Sequence, residues 1–280
     1  MSGAGAGPIL LVGAGRMGSA LLKGWLAQGV APDRIFVQEP SLGGEMAALI
    51  RDAGIGTGTP PTLPVAPAVV VLAVKPQAMD DVLPPLAALT GAYTLVISVA
   101  AGTTIAGIAR HFAANTAIVR AMPNTPAAIG RGITALYANA FVQPEQQDTC
   151  AGLLGAVGET VWIADEAQMD AVTALSGSGP AYVFLLAECM AKAGEAAGLA
   201  PDLAAKLARA TVSGAGELLY RSDLDPAELR RNVTSPGGTT AAALRVLMGD
   251  GESGDGGPLE VILREAVEAA ARRSRELAGA

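Results

Sequence analysis

The chain has little of what a metal centre, a disulfide framework or a nucleic-acid surface requires. Its 280 residues include one His and two Cys, so zinc has too few ligands and we expect no metal. Cys150 and Cys189 stand alone in helical, alanine-rich patterns, which predicts buried, reduced thiols. Only 19 Lys and Arg stand against 26 Asp and Glu, for a net charge of −7, which excludes nucleic acid as the main partner.

Long apolar runs and targeting signals are also missing. The longest strongly apolar stretch, residues 65–74, contains Pro67 and is too short to cross a bilayer. The N-terminus lacks the pattern of a secretory signal, so we expect a cytoplasmic protein without membrane partners. Aromatic residues are only 4% of the chain, but a hydrophobic content of 51% predicts a sizeable core in one or two domains.

The first half of the chain alternates short apolar strands with helical patterns. Strands separated by helices, and apolar throughout, predict a doubly wound, mostly parallel α/β sheet covered on both faces. We assign residues 1–164 to this domain. The strand candidates are Ile9 to Val12, Arg34 to Gln38, Ala68 to Val74, Thr94 to Val99 and Ala117 to Ala121, with Ile133 to Tyr137 and Thr160 to Ile163 as later edge strands.

The second half, residues 165–280, shows helical periodicity only. Its main helices are predicted over Pro180 to Ala197, Pro201 to Tyr220 and Pro258 to Leu277, the last preceded by a glycine and acid loop, Asp250 to Gly257. These helices are more apolar than a solvated layer needs, which favours an all-α domain that buries a face against another subunit. A compact monomeric helical domain is the alternative.

A glycine-rich turn follows the first predicted strand and opens a helix. Gly13 allows the tight turn, Gly15 lets a pyrophosphate approach the backbone, and Gly18 lets helix and strand pack closely. Arg16 and Met17 lie between the last two glycines, at the helix start where a phosphate binds. The sequence therefore predicts a dinucleotide site in a Rossmann domain.

In such a domain, residues at the end of the second strand contact the 2′ position of the adenosine ribose of the cofactor. Gln38 and Glu39 lie there, about 20 residues beyond the last glycine, and an acid at this place favours a free ribose hydroxyl. Arg34 and Ser41 offer an alternative, because either could serve a 2′-phosphate. The choice between NADH and NADPH stays open at this point.

Further candidates follow the next three strands, at the edge where a doubly wound sheet presents its ligand. Lys75 could be a catalytic amine, although a positioning or solvated lysine is the commoner role before a proline. Small residues and prolines at these ends would support a flat nicotinamide ring. The cofactor candidates here are Val74, Lys75, Pro76, Ala100 within residues 98–102, and Asn124 and Thr125 within residues 122–126.

Two more glycine-rich segments precede helices in the second half. The run Ser235 to Thr240 places backbone N–H groups and hydroxyls at a helix start, which attracts a small anion. Ser176 to Pro180 has two interpretations, a serine N-cap with a first-turn proline or glycines that admit a ligand. The only histidine, His111, lies away from all these strand ends, which favours a substrate that needs little help with protons.

In order and spacing, these segments closely resemble the pyrroline-5-carboxylate reductase family, which catalyses the last step of proline biosynthesis. The match extends over nearly the whole chain and includes Val74-Lys75-Pro76, Arg120 to Pro126, Ser176 to Pro180 and Asn232 to Thr240. The resemblance implies NADPH as the usual cofactor, with NADH used by some members. It also implies a homodimer of interlocked helical domains, often in a ring of dimers, with the active site between one subunit's cofactor and its partner's helices.

Carried onto this chain, the resemblance assigns the substrate carboxylate to Ser235, Gly238, Thr239 and Thr240, with Asn232 nearby. The Thr240 hydroxyl would reach the ring nitrogen as the catalytic contact. Two features differ from the family pattern: the Asp250 to Gly257 loop is longer, and no Arg accompanies Gln38 and Glu39.

Three rival functions remain. A reductase of another cyclic imine or of a 2-keto acid would use the same two sites. A hydroxy-acid dehydrogenase would need a catalytic lysine in the second domain, for which Lys192 is the candidate. A nucleotide sensor without chemistry would not need the anion site at residues 235–240.

Overall fold

The computed structural model of the chain describes residues 7–59, 62–249 and 256–278. These residues form two compact units, 7–177 together with 271–278, and 178–249 together with 256–270. Most of the predicted loop Asp250 to Gly257, namely residues 250–255, lies outside the described residues. No helix in the described part of the chain is long and apolar enough to span a bilayer.

The first unit contains an eight-stranded sheet in the order β3-β2-β1-β4-β5-β6-β7-β8. All neighbouring strands are parallel except β6 and β7, so the predicted doubly wound, mostly parallel sheet is confirmed. The strands are β1 (Ile9–Val12), β2 (Ile35–Gln38), β3 (Gly56–Thr57), β4 (Val69–Leu72), β5 (Leu95–Ser98), β6 (Ala117–Met122), β7 (Gly132–Ala138) and β8 (Gly158–Trp162).

Helices cover both faces of this sheet, which explains why its central strands are apolar throughout. Ile9 and Leu11 of β1 face one buried cluster, whereas Leu10 and Val12 face the other. The fully buried Trp25 anchors the first face, where its Nε1 donates to the Leu153 carbonyl oxygen at 2.8 Å. The helices of this unit are α1 (Arg16–Ala27), α2 (Gly44–Asp52), α3 (Met79–Ala87), α4 (Ile105–Ala109), α5 (Pro144–Leu154) and α6 (Met169–Val172).

The second unit consists of helices joined by short turns, and its described residues include no strand. Its helices are α7 (Gly179–Ala196), α8 (Pro201–Arg221), α9 (Pro226–Asn232), α10 (Thr239–Met248) and the larger part of α11 (Pro258–Ala278). Small residues bring α7 and α8 together, since a Cβ built on Gly194 would lie 3.2 Å from Ala204 Cβ. The large apolar side chains of α7 stay exposed in the single chain, among them Val183, Phe184, Leu185 and Leu186.

The end of α11 belongs to the first unit, although the rest of this helix belongs to the second. Ser274 is buried there, and its hydroxyl donates to Asp170 Oδ1 of α6 at 2.6 Å. This contact joins residues that lie 104 positions apart in the sequence. The first unit is therefore completed by a segment that comes after the whole second unit.

Three predictions about elements and burial are wrong in detail. Ile133 to Tyr137 was predicted as an edge strand, but β7 lies between β6 and β8, and the true edges are β3 and β8. The two-residue strand β3 was not predicted. Cys150 is buried as predicted, and burial raises the pKa of its thiol, but Cys189 is exposed because α7 buries no residue within one subunit.

Candidate active site

The predicted cofactor residues gather at one edge of the sheet. Strands β1, β2, β4, β5 and β6 run parallel, so their carboxyl ends meet at this edge. The chain passes from β1 outward to β2 and then returns to β4 on the other side of β1. This change of direction creates the crevice in which doubly wound sheets bind their ligands.

The glycine turn between β1 and α1 is shaped by close packing at two of its three glycines. Gly13 has a φ of +95°, and a Cβ there would lie 2.6 Å from the Ala73 carbonyl oxygen. A Cβ on Gly18 would lie 2.1 Å from the Gly13 carbonyl oxygen. A Cβ on Gly15 would meet no atom within 4 Å, and Gly15 is the N-cap residue of α1, without a side-chain cap. The turn is therefore open at Gly15, which leaves room for a pyrophosphate to approach the backbone at the start of α1.

Arg16 and Met17 are the first two residues of α1, next to this open side. The Arg16 side chain is exposed, and Met17 is half-buried against the core. The positions of both residues agree with the predicted helix start, and their contact with a cofactor stays a prediction.

The end of β2 carries two acceptor groups. Glu39 Oε2 accepts a hydrogen bond from the Ala14 N–H at 2.9 Å, and Glu39 Oε1 accepts one from the Ser41 N–H at 3.0 Å. Gln38 is 7% exposed, and its Oε1 is buried without a hydrogen-bond partner in the part of the chain that the structure describes. An orphaned acceptor at a ligand edge fits a group that brings its own donor.

Arg34 cannot play the phosphate-binding role that was considered for it. It precedes β2 and so lies at the amino edge of the sheet, opposite the glycine turn. Its Nη2 donates to the Gly7 carbonyl oxygen at 3.1 Å, and its Nε is buried. A strand runs in one direction, so residues at its two ends serve opposite edges.

The ends of β4 and β5 form the floor of the same edge. Val74 is half-buried, whereas Lys75 and Pro76 are exposed and begin a single 3₁₀ turn. Ala100 is buried two residues beyond β5, and its N–H donates to Ser98 Oγ at 3.3 Å. Small, fixed groups of this kind provide a flat surface with few side-chain rotations.

Asn124 and Thr125 follow β6 at this edge. The Asn124 Oδ1 accepts a hydrogen bond from the Ile133 N–H at 3.0 Å, so half of its amide group holds the loop. Thr125 is exposed and begins a short 3₁₀ segment. The structure thus shows a loop function for Asn124, and contact with a nicotinamide stays a prediction for both residues.

The residues predicted to hold the substrate lie in the second unit. Asn232 is the exposed last residue of α9, and Thr239 and Thr240 are the first two residues of α10. Gly237 has a φ of +70°, and Gly238 is the N-cap residue, without a side chain to cap the helix. A Cβ on Gly238 would lie 2.4 Å from Ser235 Oγ, so only glycine lets this hydroxyl lie against the helix start.

The segment Ser176 to Pro180 fits the first interpretation in part, because Ser178 is the N-cap residue of α7 and Pro180 lies in its first turn. That its glycines admit a ligand stays a prediction. Residues 173–177 form a π-helical turn, and Ser178 makes no side-chain cap for α7. A Cβ on Gly177 would lie 2.5 Å from Met122 Cε, so Gly177 lets this turn pack against the end of β6. The sequence pattern did not predict this five-residue π turn, which is too short to give a periodic signal. Such turns are frequent at functional sites.

Sequence reasoning also missed a buried ion pair beside the same strand. Arg120 of β6 is 5% exposed, and its Nη1 lies 2.9 Å from Glu166 Oε1. The same oxygen accepts the Ile105 N–H at the start of α4 at 2.8 Å. An arginine within a strand and a glutamate 46 positions later carry no local signal of this pairing.

His111 and a surface cavity lie apart from the ligand edge. His111 Nε2 lies 3.1 Å from Asp80 Oδ1, in a surface cluster where Arg110 lowers the pKa of Asp80. A cavity of about 310 Å³ opens at the amino ends of β4 and β5, lined by residues 66–69, 91–95, Gln146 and Thr149. None of the predicted site residues lines it.

Two family models match the chain. The model described as pyrroline-5-carboxylate reductase dimerisation matches residues 166–277. The model described as NADP oxidoreductase, coenzyme F420-dependent, matches residues 8–102. The first match identifies the helical part of the chain as a dimerisation region, which confirms the predicted homodimer.

Similar proteins cover nearly the whole chain. The pyrroline-5-carboxylate reductase of Pseudomonas aeruginosa is 43% identical over 272 residues, 96% of each chain. The solved structure of the Coxiella burnetii pyrroline-5-carboxylate reductase is similar with a TM-score of 0.87 and 36% identity, covering 97% of this chain and 98% of the other. The Plasmodium falciparum pyrroline carboxylate reductase, solved with NADP bound, has a TM-score of 0.78 and 28% identity, covering 99% and 100%. The chain therefore belongs to the pyrroline-5-carboxylate reductase family.

Proposed function

We propose that this chain reduces the C=N bond of 1-pyrroline-5-carboxylate to give L-proline, with NAD(P)H as the reductant. The observation that carries the proposal is a glycine turn open at Gly15, at the switch point of the sheet, in a member of this family. The Coxiella burnetii and Plasmodium falciparum proteins, with the same activity in their names, support it.

Different residues at the ligand edge would bind different parts of the cofactor. The turn Gly13, Gly15 and Gly18, with Arg16 and Met17, would hold the pyrophosphate, and Gln38 and Glu39 the adenosine ribose. The ends of the next three strands would hold the nicotinamide, through Val74, Lys75, Pro76, Ala100, Asn124 and Thr125. Bound there, the reduced nicotinamide supplies a hydride.

The start of α10 would hold the substrate. Its first-turn N–H groups and the positive end of the helix attract a carboxylate, and Ser235, Gly238 and Thr239 shape this turn, with Asn232 nearby. The Thr240 hydroxyl would orient the ring nitrogen. The nitrogen of a cyclic imine is more basic than a ketone oxygen, so it can enter protonated, and orientation replaces a strong acid.

The direct test is the rate of NADPH and NADH oxidation with 1-pyrroline-5-carboxylate, beside its six-membered homologue. We expect turnover with the five-membered imine. No turnover with either cofactor, or turnover only with the larger ring, would contradict the proposed substrate.

Thr240→Val tests the residue at the start of α10. Removing one oriented hydroxyl should lower kcat/KM by about 5- to 150-fold, the effect of losing roughly 1–3 kcal/mol. The matched control is Thr149→Val, which deletes a helical hydroxyl bonded to the Glu145 carbonyl oxygen at 2.8 Å. Wild-type kinetics in the Thr240 variant would remove this residue from the mechanism.

The proposal also includes the higher oligomeric state and the cellular location of the protein. The family resemblance supports assembly of the homodimers into a ring, which the mass in solution will test. A cytoplasmic location is expected, and cell fractionation tests it.

A further inference from the structure

The Glu39 carboxylate is fixed in one orientation by the main chain. Each of its oxygens accepts one N–H hydrogen bond, from Ala14 at 2.9 Å and from Ser41 at 3.0 Å. A carboxylate oxygen accepts two hydrogen bonds, so each keeps one free acceptor position. Because Ala14 belongs to the glycine turn, the carboxylate is anchored directly beside the pyrophosphate-binding segment.

Three basic residues of the neighbouring segments, Lys23, Arg34 and Arg51, each have another partner. Residues 38–50 contain no Lys or Arg. Lys23 Nζ lies 2.7 Å from Glu45 Oε1, Arg51 Nη2 lies 3.1 Å from Asp52 Oδ1, and Arg34 donates to Gly7 at the opposite edge. Arg16 begins α1 beside Gly15, the place of the pyrophosphate.

The preceding residue, Gln38, ends β2 and carries a second acceptor at the same strand end. Its buried Oε1 has no hydrogen-bond partner among the described residues. A ribose hydroxyl donates a hydrogen bond and satisfies such acceptors, whereas a 2′-phosphate brings negative charge and further acceptors. This strand end therefore suits a hydroxyl and repels a phosphate.

We propose that Glu39 is the specificity-determining residue of the cofactor site and makes this chain select NADH over NADPH. This inference deepens the proposed function and rests on it, because it concerns the cofactor of the same reaction. The inference concerns this chain alone and does not extend to the cofactor preference of its relatives.

The test is to measure the binding of NADH and of NADPH to the intact protein by isothermal titration calorimetry, in the absence of substrate. Wild type should bind NADH at least about tenfold more tightly than NADPH. Glu39→Gln keeps the size and one acceptor but removes the charge, and should shift the ratio toward NADPH by about 10- to 100-fold. The matched control, Glu45→Gln, removes an equally negative but exposed group and should leave the ratio unchanged.

Several results would overturn the inference. Tighter binding of NADPH by the wild type, with a ratio that Glu39→Gln does not move, removes Glu39 from cofactor selection. Loss of NADPH binding alone in Arg16→Gln would assign the phosphate to Arg16 instead. An equal shift in Glu45→Gln would reduce the effect to net charge. Glu39→Ser, checked by circular dichroism, repeats the measurement if Glu39→Gln does not fold.

Kinetics separate this inference from the proposed function. If both cofactors bind but neither supports reduction of 1-pyrroline-5-carboxylate, the proposed function fails while the binding ratio still tests Glu39. If reduction occurs with both cofactors at equal kcat/KM and equal affinity, the proposed function stands and the selection of NADH fails.

Discussion

At the scale of single residues, three glycines in one turn meet three different physical demands. Gly13 needs a positive φ, Gly18 needs space beside the Gly13 carbonyl oxygen, and Gly15 needs neither, because its φ is −65° and no atom lies near. A side chain at position 15 therefore changes what can approach the turn without changing how the turn packs. Binding and folding can be separated at this position.

Gly15→Asp is expected to abolish cofactor binding while the protein stays folded. The new carboxylate would occupy the open side of the turn, where the pyrophosphate is expected, and would repel it. The measurement is a fluorescence titration with NADPH and NADH, with circular dichroism as the check on folding.

The control for this variant is Gly155→Asp. Gly155 also has a negative φ, −62°, and no atom within 4 Å of a built Cβ, but it lies at the end of α5. We expect unchanged titration curves for the control. A Gly15→Asp protein that still binds either cofactor with wild-type affinity would disprove the placement of the pyrophosphate.

The sequence predicted where the site residues lie in the fold better than it predicted their hydrogen-bond partners. The glycine turn and the acid about 20 positions beyond it were found from spacing, since local chain geometry fixes both. The two amides that hold Glu39, the loop bond of Asn124 and the bond from Arg34 to Gly7 depend on tertiary contacts. Spacing along the chain carries no information on such contacts.

At the scale of elements, the Arg120 and Glu166 pair joins β6, the start of α4 and the turn before α6. Glu166 Oε1 contacts both the Arg120 guanidinium and the Ile105 N–H. The two side chains differ in exposure, 6% for Arg120 and 26% for Glu166. Removing the glutamate therefore leaves the more deeply buried charge without its partner.

Glu166→Met is expected to destabilise the fold by about 3–5 kcal/mol, the range for stranding a buried charge. Arg120→Met should cost less, because the remaining carboxylate is partly exposed and still accepts the Ile105 N–H. Urea unfolding at one fixed protein concentration measures both single variants and the double variant. Equal losses in the two single variants would contradict this asymmetry.

Elements with a clear period were predictable, and those that depend on neighbours were not. The strands β1, β2, β4, β5 and β6 were found because both of their faces are buried and their runs are apolar. The pattern of β7 resembles an edge strand, although β8 covers its far side. The two residues of β3 and the π turn at residues 173–177 are too short for a periodic signal.

At the scale of the whole molecule, the second unit leaves much of its apolar surface uncovered in one chain. On α7, Phe184 is 63% exposed and Leu185 is 57% exposed, and α8 buries only Ala204 and Ala208. Exposed apolar surface of this extent marks an interaction site. This surface lies within residues 166–277, the region that matches the dimerisation model, so we expect it to form part of the subunit interface.

Phe184→Asp is expected to convert the dimer to monomer at micromolar concentration. Burying a carboxylate in an apolar interface costs several kcal/mol, which raises the dimer dissociation constant by about 100-fold or more. Sedimentation analysis measures the mass. Tyr93→Asp, at a side chain of the first unit that is 91% exposed, should leave the mass unchanged. A dimeric Phe184→Asp protein would exclude this part of α7 from the interface.

The hydrogen bond between Ser274 and Asp170 has a consequence for the order of events during translation. Asp170 leaves the ribosome 104 residues ahead of Ser274, and the entire second unit is synthesised in between. The first unit therefore cannot make this contact until all the helices of the second unit have been synthesised. Final consolidation of the nucleotide-binding half depends on a contact of long sequence separation, which forms late in this topology.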